Sequence, residues 1–297
     1  MSRTEGHYLK YHHLVTPLLP GAWPKGLCFA QQRLQSPCAW PGTWRGFRAT
    51  SALPWLSDLQ SARRRRASGN HKEGIVSKIV NGASRQPLSG GPPRQIVLLL
   101  HGYGSSGADL IAFAPQWQKL LPDALFLAPH APQPCGWGRG YQWWPLTGFT
   151  PAALAAGAKS AAGAIDAFVD RKLAQYGLNE AQLAMVGFSQ GTMMALHVGL
   201  RRPQALAGIV GYSGMLTGAA ELAHAKITKP PVFLAHGARD QVVPVAALHA
   251  AEHALRHAGI PVTTHVSAQT GHTVDPEGLR LGAKFVADAF ARGERSG

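Results

Sequence analysis

No stretch of this chain approaches the eighteen or so consecutive apolar residues that a bilayer-crossing helix needs. The expectation is therefore a soluble protein without a transmembrane segment. Cysteine is scarce, with three in 297 residues (Cys28, Cys38 and Cys135). Only Cys135 falls in the part with globular texture, so no disulfide framework is implied and a reducing, cytoplasmic setting is expected. No Cys/His spacing resembles a zinc site, so no metal is expected. Internal repeats are lacking too. Acidic residues are few, 15 against 29 Lys and Arg, which leaves a net charge of +14. Such an excess points toward nucleic acid only if it forms a face of a folded domain. Here residues 1–75 hold 11 Lys/Arg against 3 Asp/Glu, while residues 76–297 hold 18 against 12. More than half of the excess sits in the first quarter, so no nucleic-acid partner is expected.

That first quarter shows no sustained helical or strand periodicity. Four of the eight tryptophans (Trp23, Trp40, Trp44 and Trp55) are scattered in it among Pro, Gly, Ser and Arg. It has no apolar core of a secretory signal behind its basic start. Arg63-Arg64-Arg65-Arg66 is followed by Ala67-Ser68-Gly69-Asn70, which does not support a twin-arginine signal. Residues 1–75 are expected to be a disordered or spurious N-terminal extension. Lys72-Glu73-Gly74 can be encoded by a purine-rich ribosome-binding sequence, with Val76 as a GTG start a short distance downstream. A genuine arm for an anionic partner and an organelle transit peptide are the rival readings.

From Ser77 onward the texture changes, and residues 76–297 are expected to form one domain. Gln95-Ile96-Val97-Leu98-Leu99-Leu100 reads as a central parallel strand. Residues 110–121 read as a helix with Leu110, Phe113, Trp117 and Leu120 on one side. Residues 124–128 form a second strand, and a Pro/Gly/Trp-rich loop fills 129–150. A long helix starts at Pro151 and ends at Gly177, with Ile165, Phe168, Val169 and Leu173 in its apolar stripe. Further strands are expected at 183–186, 206–211, 232–235 and 262–266. A helix carrying Val245, Leu248 and Leu255 precedes the last strand, and a helix over 279–291 follows it. This alternation predicts the α/β class, a mostly parallel central sheet with helices on both faces.

Within that frame one pentapeptide stands out, Gly187-Phe188-Ser189-Gln190-Gly191. It lies between the apolar strand and the helical run of Met193, Leu196 and Leu200. A strand that turns at once into a helix forces the corner serine into a strained conformation. Glycines two residues to either side remove the side chains that would collide there. The Ser189 hydroxyl is thereby raised above the sheet at the positive end of a helix.

A serine hydroxyl needs a base to take its proton and a third group to orient that base. Downstream, the loop after the 232–235 strand carries Asp240, and the loop after the last strand carries His272 in Gly271-His272-Thr273. Ser189, Asp240 and His272 stand in the nucleophile, acid, base order of α/β-hydrolases, each at the carboxyl end of a strand. An oxyanion also needs two fixed N–H donors. Gln190 follows the nucleophile directly, and Tyr103 lies in the small-residue loop His101-Gly102-Tyr103-Gly104 after the early strand.

Other residues have plainer readings. Ser213 in Gly211-Tyr212-Ser213-Gly214 mimics the elbow, but Met215 stands where a side chain crowds the turn; Ser106 fails similarly at Ala108. Asp275 before Pro276 reads as a helix cap. His101 and His236 end buried strands and precede glycines, so both read as structural. Cys135 has no base near it in sequence and reads as inert. Trp143 and Trp144 are equally read as core or as acyl-pocket wall, and their Pro/Gly-rich loop favours the pocket for Trp144.

Taken together, Leu98-Leu99-Leu100-His101-Gly102-Tyr103-Gly104, Ala128-Pro129-His130-Ala131-Pro132, Gln142-Trp143-Trp144-Pro145-Leu146, the elbow, His236-Gly237 with Asp240 and Val243-Pro244, and Gly271-His272 resemble the phospholipase/carboxylesterase family of α/β-hydrolases. The resemblance covers about residues 92–292. That family includes small bacterial carboxylesterases and acyl-protein thioesterases. Tyr103 stands where a smaller aliphatic residue is commoner, and His130 where Asn is usual. The resemblance implies a Ser189, Asp240, His272 triad and an acyl site lined by the 142–146 loop. Gln142, Trp144, Met215 and Val243 are the candidate substrate-binding residues. The activity it implies is a cofactor-free serine carboxylesterase acting on small-molecule or lipid-like acyl esters of short to medium chain, as a monomer or homodimer. An acyl-protein thioesterase or lysophospholipase is the alternative within the enzyme class. A non-catalytic binding protein with a basic arm is the alternative outside it.

Overall fold

The computed structural model describes residues 79–136 and 140–296, so the extension expected over residues 1–75 lies outside the described residues. Seven strands form one sheet: β1 (Val80–Arg85), β2 (Gln95–Leu100), β3 (Ala124–His130), β6 (Leu183–Phe188), β7 (Gly208–Tyr212), β8 (Val232–Gly237) and β9 (Val262–Ser267), in the order β1-β3-β2-β6-β7-β8-β9. Every pairing is parallel except β1 with β3. A two-stranded ribbon, β4 (Gln133–Pro134) and β5 (Tyr141–Gln142), stands apart from it.

Strand pleating sorts alternate residues to opposite faces, and the two cores follow it. Ile96, Leu98 and Leu100 of β2 enter one core with Met185, Ile209 and Leu234. Val97 and Leu99 enter the other with Val186, Val210 and Phe233. The first core is closed by α3 (Pro151–Tyr176), α4 (Gln190–Gly199) and α5 (Ala246–His257). The second is closed by α6 (Pro276–Ser296) and the short helices α1 (Gly107–Leu110) and α2 (Ala114–Trp117).

Helix α3 has clear punctuation. The Thr150 hydroxyl accepts the Ala153 N–H, Pro151 occupies the first turn, and Gly177 closes the helix at φ 64°. By length and composition α3 could cross a bilayer, but its stripe from Leu154 to Leu173 is buried in the first core. Helix α4 is buried at every one of its ten residues. It is wedged between the sheet and α3.

Two elements depart from the sequence reading. The helix expected over 110–121 is broken into α1, a 3₁₀ turn at Ile111–Phe113 and α2. Pro115 stands in the first turn of α2, where it has no N–H to continue an earlier helix. The chain turns after Trp117, so Leu121 is buried and Leu120 is 53% exposed, against the expected apolar side. Strand β1 was not expected at all. Its sequence lacks alternation, and it is held by antiparallel pairing on β3, where any side chain at Gly82 would overlap the Ala128 carbonyl.

Candidate active site

The crossovers bring five loops to one edge of the sheet, at the carboxyl ends of β2, β6, β7, β8 and β9, where open α/β sheets form their crevice. At the end of β6, Ser189 has φ 54° and ψ −115°, a conformation that L-residues rarely adopt and that costs about 1–3 kcal/mol. It is held by the Ser189 N–H to the Tyr212 carbonyl at 2.9 Å and by the Thr192 and Met193 N–H groups on its own carbonyl at 3.0 and 3.2 Å. The flanking glycines are required by close approach. A Cβ at Gly187 would overlap the Gly191 carbonyl, and one at Gly191 would overlap the Leu100 carbonyl.

The Ser189 Oγ lies 3.1 Å from His272 Nε2, and His272 Nδ1 lies 2.7 Å from Asp240 Oδ2. Asp240 is fixed in turn. Its Oδ1 accepts the N–H groups of Val242 at 2.9 Å and Val243 at 2.8 Å. His236 Nε2 lies 3.2 Å from Asp240 Oδ2 and donates to the Val243 carbonyl at 2.8 Å. Burial alone would raise the Asp240 pKa, but the hydrogen bonds from His236, His272 and the Val243 N–H outweigh it and hold the carboxyl well below the usual range. The Asp240 side chain is fully buried and that of His272 is 10% exposed, so the imidazole meets solvent and the carboxylate does not.

On the other side of Ser189, Gly102 packs so closely that a Cβ there would lie 3.3 Å from the serine Cβ. Tyr103 follows it, which puts the loop after β2 alongside the elbow. Gln190 opens α4, and the first N–H groups of a helix have no partner within it. Its side chain spans to the tryptophan loop: Oε1 accepts the Trp143 N–H at 3.0 Å, and Nε2 donates to the Trp144 carbonyl at 2.9 Å.

Val243 is joined to Asp240 and His236 through its backbone, and its side chain is buried. Trp144 is buried against Gly157 of α3, where a Cβ would overlap the indole. Met215 is half-buried and lines a small void with Gly214, Thr192, His236 and Leu248. Gln142 is set back in the ribbon, its amide donating to the Pro134 carbonyl at 3.2 Å.

Ser213 also has a positive φ, 47°, but it is buried and its hydroxyl donates to the Thr273 carbonyl at 3.2 Å. Ser106 caps α1, with its hydroxyl on Asp109. Asp275 accepts the Gly278 N–H at 3.1 Å as the cap of α6, and it lies 3.1 Å from His265 Nε2. Cys135 is buried, which pushes its thiol pKa up despite opposing hydrogen bonds from Gly104 and Tyr103. His101 is satisfied on both ring nitrogens, donating from Nδ1 to the Gly102 carbonyl at 2.8 Å and accepting the Ala131 N–H on Nε2 at 2.9 Å. Burial lowers its pKa to about 4.

Residues 88–289 match the family described as Phospholipase/Carboxylesterase. The chain belongs to that family. It is 28% identical over 190 residues to Esterase YpfH of Escherichia coli, covering 64% of this chain and 81% of that protein. It is 31% identical over 157 residues to Acyl-protein thioesterase 1 of Schizosaccharomyces pombe, covering 50% of this chain and 69% of that one. Among solved structures it resembles esterase PE8, with a TM-score of 0.68 and 41% identity over 71% of this chain and 99% of that one. Arabidopsis thaliana SOBER1 shares the fold, with a TM-score of 0.57 and 23% identity over 66% of this chain and 98% of that one. The chain is an α/β-hydrolase and a carboxylic ester hydrolase.

The sequence reading missed two contacts at this site. His236 was read as structural only, and it also touches the Asp240 carboxylate. The Gln190 side chain bonds the tryptophan loop, and its long amide directly after Ser189 is the signal the sequence offers.

Proposed function

We propose that the chain is a serine carboxylesterase in which Ser189, His272 and Asp240 act as a triad. The observation that carries this is the pair of hydrogen bonds in series, 3.1 and 2.7 Å, ending on a serine with φ 54°. In this reading His272 carries its proton on Nδ1, toward Asp240, and leaves Nε2 free to accept the Ser189 proton as Oγ attacks the acyl carbonyl. The ionised Asp240 stabilises the imidazolium formed. The N–H groups of Tyr103 and Gln190 hold the oxyanion, the latter at the positive end of α4. His272 then protonates the leaving group. In the second half it takes a proton from water, whose oxygen attacks the acyl carbon, and Ser189 leaves with the proton returned.

Substrates are acyl esters of short to medium chain, with Trp144 and Met215 shaping the acyl side. The likeness to a protein named acyl-protein thioesterase favours a second reading, thioester cleavage at the same serine. A panel of p-nitrophenyl esters from C2 to C12, run beside matched acyl thioesters, tests both. The ester reading expects turnover to peak at C4 to C8 with esters at least as fast as thioesters. Thioesters faster by tenfold or more at every length would replace it with the second reading.

A further inference from the structure

An oxyanion hole works only if its donors are fixed at the right separation before charge develops. The two donors assigned above come from different loops, one after β2 and one after β6. The ladder between these strands ends at Leu100 and Gly187, so no sheet pairing ties the loops beyond that point. A different connection spans them. The Gln190 amide accepts the Trp143 N–H at 3.0 Å and donates to the Trp144 carbonyl at 2.9 Å. The Trp143 indole N–H donates to the His101 carbonyl at 2.8 Å. Trp143 is 1% exposed and its ring lies 5.4 Å from the His101 ring, centroid to centroid. His101 is itself locked to Gly102 and Ala131. A continuous path thus runs from the residue bearing one donor, through Trp143, to the carbonyl two residues before the other.

We infer that Trp143 is a positioning residue for the oxyanion hole, a strut that sets the distance between the Gln190 and Tyr103 N–H groups. This rests on the triad reading. Burial requires the indole N–H and the Gln190 amide to find partners, but it does not require those partners to join the two donor-bearing loops, as they do here. With the strut cut, the loop after β2 keeps its backbone bonds to Tyr141 but loses its tie to Gln190 through Trp143, and transition-state binding suffers while ground-state binding does not.

Trp143→Phe removes the indole N–H and keeps an aromatic ring. It is expected to lower kcat by roughly 10- to 100-fold, below the 10²–10³ for outright loss of a donor, with KM within about twofold. A trifluoromethyl ketone adds Ser189 Oγ to its carbonyl carbon, sends the serine proton to His272 and leaves an alkoxide in the hole. Its Ki should weaken by the same factor as kcat. Gln190→Glu keeps the acceptor for the Trp143 N–H but not the donor to Trp144, so it should show the same parallel loss. If Trp143→Phe fails to fold, Gln190→Glu carries the test. Because both act on one path, the double variant should lose less than the product of the two single losses. Unchanged kcat and Ki, a loss confined to KM, or a fully multiplicative double variant would overturn the strut. Wild-type enzyme is first labelled with a fluorophosphonate: failure to label Ser189 would remove the triad reading and the strut with it, whereas labelling followed by unimpaired variants would remove the strut alone.

Discussion

Replacing Asp240 by Asn changes one atom and sets the hydrogen bonds around it against each other. In the native site Oδ1 accepts two backbone N–H groups, while Oδ2 faces His272 Nδ1 and His236 Nε2. All of these call for an acceptor. An Asn that keeps its oxygen toward Val242 and Val243 turns its NH₂ toward both imidazoles. His272 must then accept at Nδ1 and carry its proton on Nε2, where it cannot take one from Ser189. The opposite amide orientation saves the tautomer but places NH₂ against two backbone donors, at about 1–3 kcal/mol for the groups left unsatisfied. Asp240→Asn is therefore expected to lower kcat about 10³- to 10⁴-fold, or ~4–5.5 kcal/mol of transition-state stabilisation, with KM little changed. Steady-state kinetics on a short p-nitrophenyl ester, with urea unfolding as a check on folding, makes the measurement. Asp275→Asn is the control: Asn caps a helix about as well as Asp, so it should cost little stability and less than twofold in kcat. Comparable kcat losses in the two folded variants, or more than a tenth of wild-type activity in Asp240→Asn, would refute the assignment of the acid.

Two further predictions rest on buried rings. His101 is held neutral with its pKa near 4. The unfolded chain takes that proton near pH 6.5, so the contribution is complete above 6.5 and is lost as pH falls toward 4, by about 3 kcal/mol in all. The His101 ring signals should therefore not titrate above pH 5, and a midpoint between 6 and 7 would contradict the hydrogen-bond assignment. Trp144→Ala should shift chain-length preference while changing kcat on acetate esters less than threefold, because a pocket wall contributes binding that scales with the length of chain buried against it. Equal loss at every length would make Trp144 a core residue only.

The parts of this fold that were legible in the sequence are those with local causes. Gly187 is required by the Gly191 carbonyl four residues on, and the Thr150, Pro151 and Gly177 signals bound α3 through their own dihedrals and hydrogen bonds. Strand β2 is buried on both faces, so its continuous apolar run stood out. What could not be read depends on partners distant in sequence. Strand β1 exists because β3 pairs with it, and its own residues carry no pattern. Pro115 signalled the break in the 110–121 helix, but apolar periodicity alone masked it and put Leu120 on the wrong side. The positive φ of Ser213 goes with hydrogen bonds to Ala235 of β8 and to Thr273, both distant in sequence. Gln190 reaches residues 46 and 47 positions away, which no window along the chain can see.

The most direct test of the account is the site of covalent labelling. Native protein is treated with a fluorophosphonate, digested, and the modified residue located by tandem mass spectrometry, with Ser189→Ala in parallel. The account predicts a single stoichiometric adduct on Ser189, complete loss of esterase activity as it forms, and neither labelling nor activity above about a thousandth of wild type in Ser189→Ala. An adduct on Ser213 or Ser106, or an active Ser189→Ala enzyme, would contradict it.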